Sequence, residues 1–189
     1  MRFELTTCRL LLRPFDDGDQ AAMADLFADE AVRRQLAMAP MGTADAADFA
    51  ARFIRASRDE WQDGGCGVLA IVARRGAADM RLRDGDEDRA IGYCGLRLLP
   101  DRISAVELSY ALAQIHWGRG LAVEAARAVL DWGFANLPVR EILAITRPEH
   151  AASRRVMEKL GLVHRGETDR YYGETLAAYG LTRADLDEV

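Results

Sequence analysis

The sequence predicts an α/β fold, in which a mixed sheet carries helices on both faces. Along the 189 residues, segments with the two-residue period of strands are followed by segments with the period of helices. At the centre, a strand-like segment at 106–112 leads through a glycine-containing turn into a helix that runs to Asn136. Strands and helices in this order build a sheet covered by helices. Neither a repeat nor a linker interrupts the pattern, so we expect a single domain over residues 1–189.

The bulk composition excludes several classes of function. Half of the residues are hydrophobic, 29% are charged, and the formal net charge is −5, which argues against nucleic acid as the main partner. The sequence has no apolar run of membrane-spanning length and no signal-peptide core at its start. Cys8, Cys66 and Cys94 lack the spacing of metal ligands. We therefore expect a cytoplasmic protein with reduced thiols, without a metal site and without a membrane partner.

The N-terminal part predicts one strand and three helices. The first strand stops before Pro14, because proline removes a backbone donor. Asp19 is a suitable N-cap for the first helix, and Thr43 for a longer helix that ends at the 63–65 turn. A short helical segment covers 30–36 between them.

A predicted hairpin follows these helices. The apolar segments 68–73 and 91–99 have the composition of two strands. Their connection, 74–89, is polar, charged and longer than usual. This connection is either a substrate lid or a tolerated surface insertion.

The C-terminal part predicts three strands and a short helix. Residues 140–146 alternate as a strand, and 162–170 and 174–181 are the last two strands, joined through 171–173. The helix before them ends at Gly161, a typical C-cap residue.

The central turn is the strongest candidate for a binding site, and reads Trp117-Gly118-Arg119-Gly120-Leu121-Ala122. A turn between a strand and a helix directs free N–H groups and the positive end of the helix dipole at an anion. Its two glycines let a phosphate approach the backbone, and Arg119 adds positive charge. Val123 replaces the third glycine of a dinucleotide fingerprint, and the Gly-Lys-Ser/Thr of a P-loop is missing. A flexible helix entry without a ligand is the alternative interpretation.

Three stretches give the chain a wider resemblance to a known family. They are Thr7-Cys8-Arg9-Leu10-Leu11-Leu12-Arg13-Pro14, Glu107-Leu108-Ser109-Tyr110-Ala111-Leu112 with the turn after it, and Ala152-Ser153-Arg154-Arg155-Val156-Met157-Glu158-Lys159-Leu160-Gly161-Leu162. In this order they resemble the GNAT acetyltransferase superfamily, and most closely its Rim-type branch, which is named for ribosomal-protein N-terminal acetyltransferases. The resemblance implies a mostly antiparallel mixed sheet, acetyl-CoA as co-substrate, an amine acceptor, and a turn that holds the pyrophosphate. It also implies that the N-terminal helices form one wall of the acceptor groove, and homodimers are common in similar proteins.

The resemblance assigns further cofactor contacts. In similar proteins the backbone at the positions of Ala111, Leu112 and Ala113 pairs with the pantetheine arm. His150 and Ser153 stand at an Asn-x-x-Ser step, where His150 replaces the usual asparagine and adds bulk and a titration near neutrality. The Ser153 hydroxyl either hydrogen-bonds the departing sulfur or satisfies a backbone donor at the helix start.

Glu107 is the candidate general base. It begins the strand that leads into the cofactor turn, and it can accept the proton of the amine directly or through water. Strand alternation puts Glu107 on one face of this strand and Leu108 and Tyr110 on the other. A solvent-facing or supporting carboxylate is the alternative. Some relatives use a tyrosine of the following helix as the general acid, but Met157 stands there, which leaves Tyr171 or Tyr172 as candidates.

These residues lead to one functional hypothesis and one alternative. The hypothesis is an acetyl-CoA-dependent N-acetyltransferase that acts on a protein N-terminus or a small-molecule amine by direct transfer in a ternary complex. At pH 7 an α-amine costs only about 1 kcal/mol to neutralise, against roughly 4.6 kcal/mol for a lysine, so a weak base is enough for an α-amine. The alternative is a non-catalytic acyl-CoA-binding protein of the same fold, which the residues at 150 and 157 support. A serine hydrolase is excluded, because the chain lacks a Gly-x-Ser-x-Gly motif.

Overall fold

A computed structural model of the chain describes residues 3–36, 45–74, 89–99 and 105–186. Within these ranges, eight strands form one sheet in the order β1-β2-β3-β4-β5-β6-β8-β7. The strands are β1 Leu5–Thr6, β2 Leu10–Arg13, β3 Val68–Ala73, β4 Ala90–Leu98, β5 Ala105–Leu112, β6 Glu141–Thr146, β7 Val163–Thr168 and β8 Leu176–Thr182. Neighbouring strands are antiparallel except β5 and β6, which are parallel. The predicted mixed, mostly antiparallel sheet is confirmed.

Helices cover both faces of this sheet, as predicted. They are α1 Asp19–Ala28, α2 Glu30–Arg33, α3 Ala46–Gly64, α4 Leu121–Asn136, α5 Ala151–Lys159 and α6 Arg183–Leu186. On one face, α1 to α3 pack through a cluster that includes Phe27, Phe53 and Tyr93. On the other face, α4 and α5 bury residues such as Leu130 and Met157. Burial of these two apolar faces is the main stabilising contribution to the fold.

Helix α4 packs against the sheet through a buried stripe that contains Gly133. A Cβ on Gly133 would be 2.4 Å from Leu96 Cδ1 and 3.3 Å from Ile142 Cδ1. The missing side chain therefore lets the C-terminal part of α4 approach β4 and β6.

The sheet opens at its centre, between β5 and β6. These strands are paired only where Ala105–Glu107 faces Glu141–Leu143. Strand β5 stays paired with β4 as far as Leu112. Beyond Glu107 the two parallel strands separate, so one edge of β5 is left free for a ligand.

Some local expectations need correction. Asp19 is not the N-cap of α1; it is the first helical residue, and its buried carboxylate accepts hydrogen bonds from Arg13 and from the backbone N–H of Asp16. The last two strands are shorter than predicted, and β1 and α6 are too short for a periodic pattern to indicate them. Thr43 and most of the 74–89 connection lie outside the described residues.

The described residues also give information on thiols, metals and membranes. Cys66 and Cys94 are buried, Cys8 is exposed, and all three are free thiols. Burial raises the pKa of the Cys66 thiol to about 11, so this thiol is unreactive at neutral pH. Across the described ranges, histidine, cysteine, aspartate and glutamate do not assemble in groups of three or more that could hold a metal ion. None of the helices in the same ranges combines the length and apolar character needed to cross a membrane.

Candidate active site

A cavity of about 580 Å³ lies where β5 and β6 separate. Residues from both faces of the sheet line it. We call the part that includes Phe53 and Glu107 the α3 side of the cavity, and the part that includes Gly120 and Ser153 the α4 side. This volume is in the range of cavities that bind small molecules and cofactors.

The turn before α4 needs glycine for its conformation. Gly118 and Gly120 have φ angles of +74° and +76°, a left-handed region that costs other residues roughly 1–2 kcal/mol. A Cβ on Gly118 would meet nothing within 4 Å, and one on Gly120 would meet only Arg9 Nη2, at 3.7 Å. Close packing is therefore not what requires these glycines.

The start of α4 presents backbone donors to the cavity. The first helical hydrogen bond runs from the N–H of Glu124 to the carbonyl of Gly120, at 3.0 Å. The N–H groups of Leu121, Ala122 and Val123 come before it and have no acceptor within the helix. All three residues line the cavity, where the positive end of the helix dipole adds to the attraction. The turn therefore fits a bound anion such as a pyrophosphate.

Glu124 ties this turn to the N-terminal strands. Its carboxylate accepts hydrogen bonds from the Thr7 hydroxyl at 2.6 Å and from the backbone and Nε of Arg9 at 2.8 and 2.7 Å. Arg9 also donates from Nη1 to the carbonyl of Arg119, at 3.1 Å. Burial alone would raise the pKa of Glu124, but these hydrogen bonds lower it below its ordinary value. Sequence reasoning missed this network, because its members are more than 100 residues apart.

Only every second residue of β5 directs its main-chain N–H and C=O groups to the free edge, because the others pair with β4. The N–H of Ala113 donates to the carbonyl of Ile91 on β4, at 2.9 Å. Main-chain groups alternate between the two edges of a strand, so those of Ala111 also point to β4. The groups of Tyr110 and Leu112 face the gap. Of the three residues predicted to pair with the pantetheine arm, Leu112 directs its main-chain groups to the gap, whereas those of Ala111 and Ala113 point to β4.

Trp117 closes the end of this edge. Its indole N–H donates to the carbonyl of Leu112 at 2.7 Å. The ring lines the cavity and is 40% exposed. Trp117 therefore connects the turn to β5 and provides an apolar wall at the mouth of the cavity.

Glu107 lies in the cavity wall with only 5% of its surface exposed. The Tyr172 hydroxyl donates a hydrogen bond to its Oε2. Arg97 stands opposite it on β4 and pairs with Glu60 at 2.9 Å. Burial raises the pKa of Glu107, the Tyr172 hydrogen bond and the charge of Arg97 oppose the rise, and Glu60 adds to it. Glu107 is therefore buried and does not face solvent, and burial beside charged partners is typical of carboxyl groups at functional sites.

The loop between β7 and β8 brings Tyr172 to this carboxylate. Tyr172 has a φ angle of +59°, which is uncommon for a residue with a side chain and costs of order 1–3 kcal/mol. Burial and the charge of Glu107 raise the pKa of its hydroxyl, which therefore stays a donor. Tyr171 points instead into a buried cluster with Leu143, Ile145 and Leu176. Of the two predicted tyrosines, Tyr172 reaches Glu107.

A second hydroxyl pair lies on the α4 side of the cavity. Ser153, the third residue of α5, is 6% exposed, and its Oγ is 2.8 Å from the hydroxyl oxygen of Tyr110. Burial raises the pKa of Tyr110, while the hydrogen bond with Ser153 opposes the rise. Both residues line the cavity, and Met157 packs beside them in the core. Sequence reasoning assigned no role to Tyr110, although strand alternation had placed it on the same face as Leu108.

His150 lies at the start of α5, where it is half-buried and lines the cavity. Its Nδ1 is 3.2 Å from the Thr146 hydroxyl. Burial lowers the pKa of His150, with Glu149 opposing and Arg147 adding to the effect. The imidazole is therefore neutral at pH 7, and its titration lies at lower pH than its ordinary value suggests.

Comparison with known proteins gives consistent results. A protein-family model described as an acetyltransferase (GNAT) domain matches residues 9–163. YkkB of Bacillus subtilis (strain 168) is 32% identical over 186 residues, which cover 93% of this chain and 94% of YkkB. The N-acetyltransferase p20 of Bacillus licheniformis is 26% identical, over 86% of this chain and 83% of p20.

Solved structures agree with the fold. An acetyltransferase from Agrobacterium tumefaciens str. C58 superposes with a TM-score of 0.75 and 25% identity, over 97% of this chain and 96% of that one. RimL, a ribosomal L7/L12 alpha-N-protein acetyltransferase solved in complex with coenzyme A, gives a TM-score of 0.74. Its identity is 14%, over 95% of this chain and 98% of RimL, so it is evidence for the fold alone.

Proposed function

The chain belongs to the GNAT acetyltransferase family, and we propose that it moves the acetyl group of acetyl-CoA to a primary amine by direct transfer in a ternary complex. One observation carries this proposal. The turn at Gly120 and the buried carboxylate of Glu107 line the same cavity. An anionic co-substrate and an amine can therefore be held side by side, and proximity of this kind accelerates a two-substrate reaction strongly.

The α4 side of the cavity suits acetyl-CoA, which supplies an acetyl group activated as a thioester. The N–H groups of Leu121, Ala122 and Val123 would hold its pyrophosphate. The main-chain groups of Tyr110 and the N–H of Leu112 would pair with its pantetheine arm, since the Leu112 carbonyl already accepts a hydrogen bond from Trp117. RimL, which has the same fold, was solved in complex with coenzyme A, and the proposal extends that ligand to this chain.

Glu107 would accept the proton of the amine. A buried carboxylate with a raised pKa is a better base than an exposed one, because its pKa is closer to that of the amine. Tyr172 holds Oε2 of this carboxylate in place. A peptide α-amine or another amine of low pKa needs the least assistance.

Ser153 and Tyr110 would stabilise the departing sulfur. Their hydroxyl groups are hydrogen-bonded to each other and face the cavity. Because the pKa of Tyr110 is raised, its hydroxyl stays protonated and can support a hydrogen bond from Ser153 to the sulfur. This pair would take the place of the tyrosine that some relatives carry at the position of Met157.

The test is release of free thiol from acetyl-CoA, measured with a panel of primary amines, with mass spectrometry of the amine product. We expect thiol release that depends on the amine and yields its N-acetyl derivative. Binding of acetyl-CoA without amine-dependent release would instead favour the non-catalytic acyl-CoA-binding protein. A cytoplasmic location and a homodimer stay predictions.

A further inference from the structure

Aromatic and aliphatic side chains form the wall of the α3 side of the cavity. Val32, Leu36, Phe49, Phe53 and Tyr93 line it. The rings are fixed by one another: the Phe53 and Tyr93 centroids are 4.8 Å apart, and those of Phe49 and Phe53 are 6.3 Å apart in a stacked arrangement. Because these rings are already packed against one another, an apolar group of a ligand can bind against them with little loss of conformational entropy in the protein side chains.

The charges on this side favour a cation and disfavour a second anion. Glu107 provides a buried negative charge. Arg97 is the positively charged residue among the described lining of the α3 side, and it is already paired with Glu60 at 2.9 Å and lies 5.9 Å from the Phe53 ring centroid. An ammonium group is therefore attracted by Glu107 and by the ring faces. A carboxylate next to the amine would be repelled by Glu107 and would find Arg97 occupied.

Together these features lead us to propose that the acceptor is a primary amine carried by an apolar, preferably aromatic, group, without a carboxylate beside the amine. The inference rests on the proposed function and narrows its acceptor class. The ammonium form enters next to Glu107, and the apolar group packs against Phe49 and Phe53. A peptide whose first residue is apolar belongs to this class, whereas a free amino acid or a polyamine does not.

The first experiment compares amino-acid amides, because their α-amines have similar pKa values and differ mainly in the side chain. Rates of acetylation of phenylalaninamide, leucinamide, glycinamide and aspartic acid α-amide are measured with the wild-type protein, with free phenylalanine at an equal concentration of neutral amine. We expect kcat/KM for phenylalaninamide to exceed that for glycinamide by about tenfold or more, the gain typical of burying an aromatic side chain. The aspartic acid amide and free phenylalanine should be the poorest acceptors.

The panel separates failure of the inference from failure of the proposed function. If glycinamide or the aspartic acid amide reacts as fast as phenylalaninamide, the acceptor class is wrong while the acetyltransferase stands. If acetyl-CoA is never consumed with any amine, the proposed function itself fails.

Two variants of Phe49 test whether the preference for an aromatic amine arises at the apolar wall of the α3 side. Phe49 is half-buried, so its replacement disturbs the core less than replacement of Phe53. Phe49→Ala should reduce the ratio of kcat/KM for phenylalaninamide over glycinamide by about tenfold. The control Phe49→Leu keeps most of the apolar surface and should keep most of the ratio. An unchanged ratio in a folded Phe49→Ala protein would overturn the proposed location, and the wild-type panel remains decisive if this variant does not fold.

Discussion

Glu107 shows how the environment of a single residue decides its chemistry. On an isolated strand it would titrate as an ordinary carboxyl group, with a pKa near 4.5. In the fold it is 5% exposed and receives a hydrogen bond from Tyr172. Burial raises its pKa, while the hydrogen bond from Tyr172 and the charge of Arg97 oppose the rise. Glu107 is therefore more basic than a surface glutamate.

Glu107→Gln should lower kcat/KM for the amine by a factor of about 10² to 10⁴, the usual contribution of a general base. Affinity for acetyl-CoA, measured by calorimetry, should be nearly unchanged. Because the pKa of Glu107 is raised, the wild-type rate should increase with pH over a range above the titration of an ordinary carboxyl group. The deficit of the variant should shrink at high pH, where the amine is already neutral. A deficit that stays constant across pH would indicate that solvent is the base.

Tyr110→Phe and Ser153→Ala should both lower kcat by about tenfold or more, at every pH. The reason is that negative charge develops on the sulfur whatever the protonation state of the amine. The matched control is Tyr179→Phe, because the Tyr179 hydroxyl is also buried and bonds to α5, through Arg154 at 2.9 Å. If Ser153→Ala only lowers the melting temperature and retains normal turnover per folded molecule, Ser153 is structural.

Only part of this residue-level chemistry could be predicted from the sequence. Strand alternation put Glu107 on the face opposite Leu108, and the structure has it so. The contacts of Tyr110 and Tyr172 depend on the width of the β5–β6 gap and on a loop with a left-handed residue. A local sequence pattern does not encode the width of the gap or the shape of the loop. Sequence reasoning therefore missed Tyr110 and left Tyr172 as one of two candidates.

At the level of elements, the turn and α4 act as one unit. The left-handed glycines set the direction in which α4 begins, and Gly133 lets that helix lie close to β4. Arg9 and Glu124 fasten the turn to the N-terminal segment. The turn is therefore held in place by the fold itself, which would reduce the cost of ordering it when the proposed cofactor binds.

Gly120→Val should abolish binding of acetyl-CoA while most of the fold is retained. Its φ of +76° is strained for a β-branched residue, so the first N–H groups of α4 would be displaced from the cavity. The control is Gly166→Val, since Gly166 also has a positive φ, +99°, and open space around its Cβ, but belongs to β7. Calorimetry and thermal melting measure the two effects separately. Wild-type affinity in Gly120→Val would rule out the turn as the phosphate site.

The elements themselves were largely predictable from the sequence. Apolar composition located β3 at its observed bounds, and the helix predicted to run to Asn136 ends at that residue as α4. The resemblance named Ala111, Leu112 and Ala113 together, because alternation fixes which residues share a face but does not show which residues direct their main-chain groups to the free edge. Only the pairing with β4, seen in the hydrogen bond of Ala113 to Ile91, decides that.

For the whole molecule, the separation of two parallel strands creates the cavity in which the two substrates of the proposed reaction would meet. The helices on opposite faces of the sheet line it differently: α4 and α5 would provide donors for an anion, and α2 and α3 contribute to an apolar wall. The order of the elements indicated an α/β fold with a mixed sheet, and the resemblance of three stretches to the GNAT superfamily indicated that this sheet is mostly antiparallel. Neither showed the order of the last two strands, because β8 inserts between β6 and β7 through long-range pairing.

Acetyl-CoA should raise the melting temperature of the protein. A ligand that binds only the folded state adds about 2.7 kcal/mol at a hundredfold excess over its Kd, which corresponds to several degrees for a chain of this size. NAD and ATP should have smaller effects at equal concentration, because they lack the pantetheine arm. A clear shift with NAD beside none with acetyl-CoA would contradict the proposed cofactor.

The central claim, direct transfer between two substrates held in one cavity, is tested most directly by initial rates measured over a grid of acetyl-CoA and phenylalaninamide concentrations. A ternary complex predicts double-reciprocal lines that intersect, and intact-mass spectra in which the protein itself is not acetylated. Parallel lines together with an acetylated protein that passes its acetyl group to the amine would show a covalent enzyme intermediate, and would contradict the account.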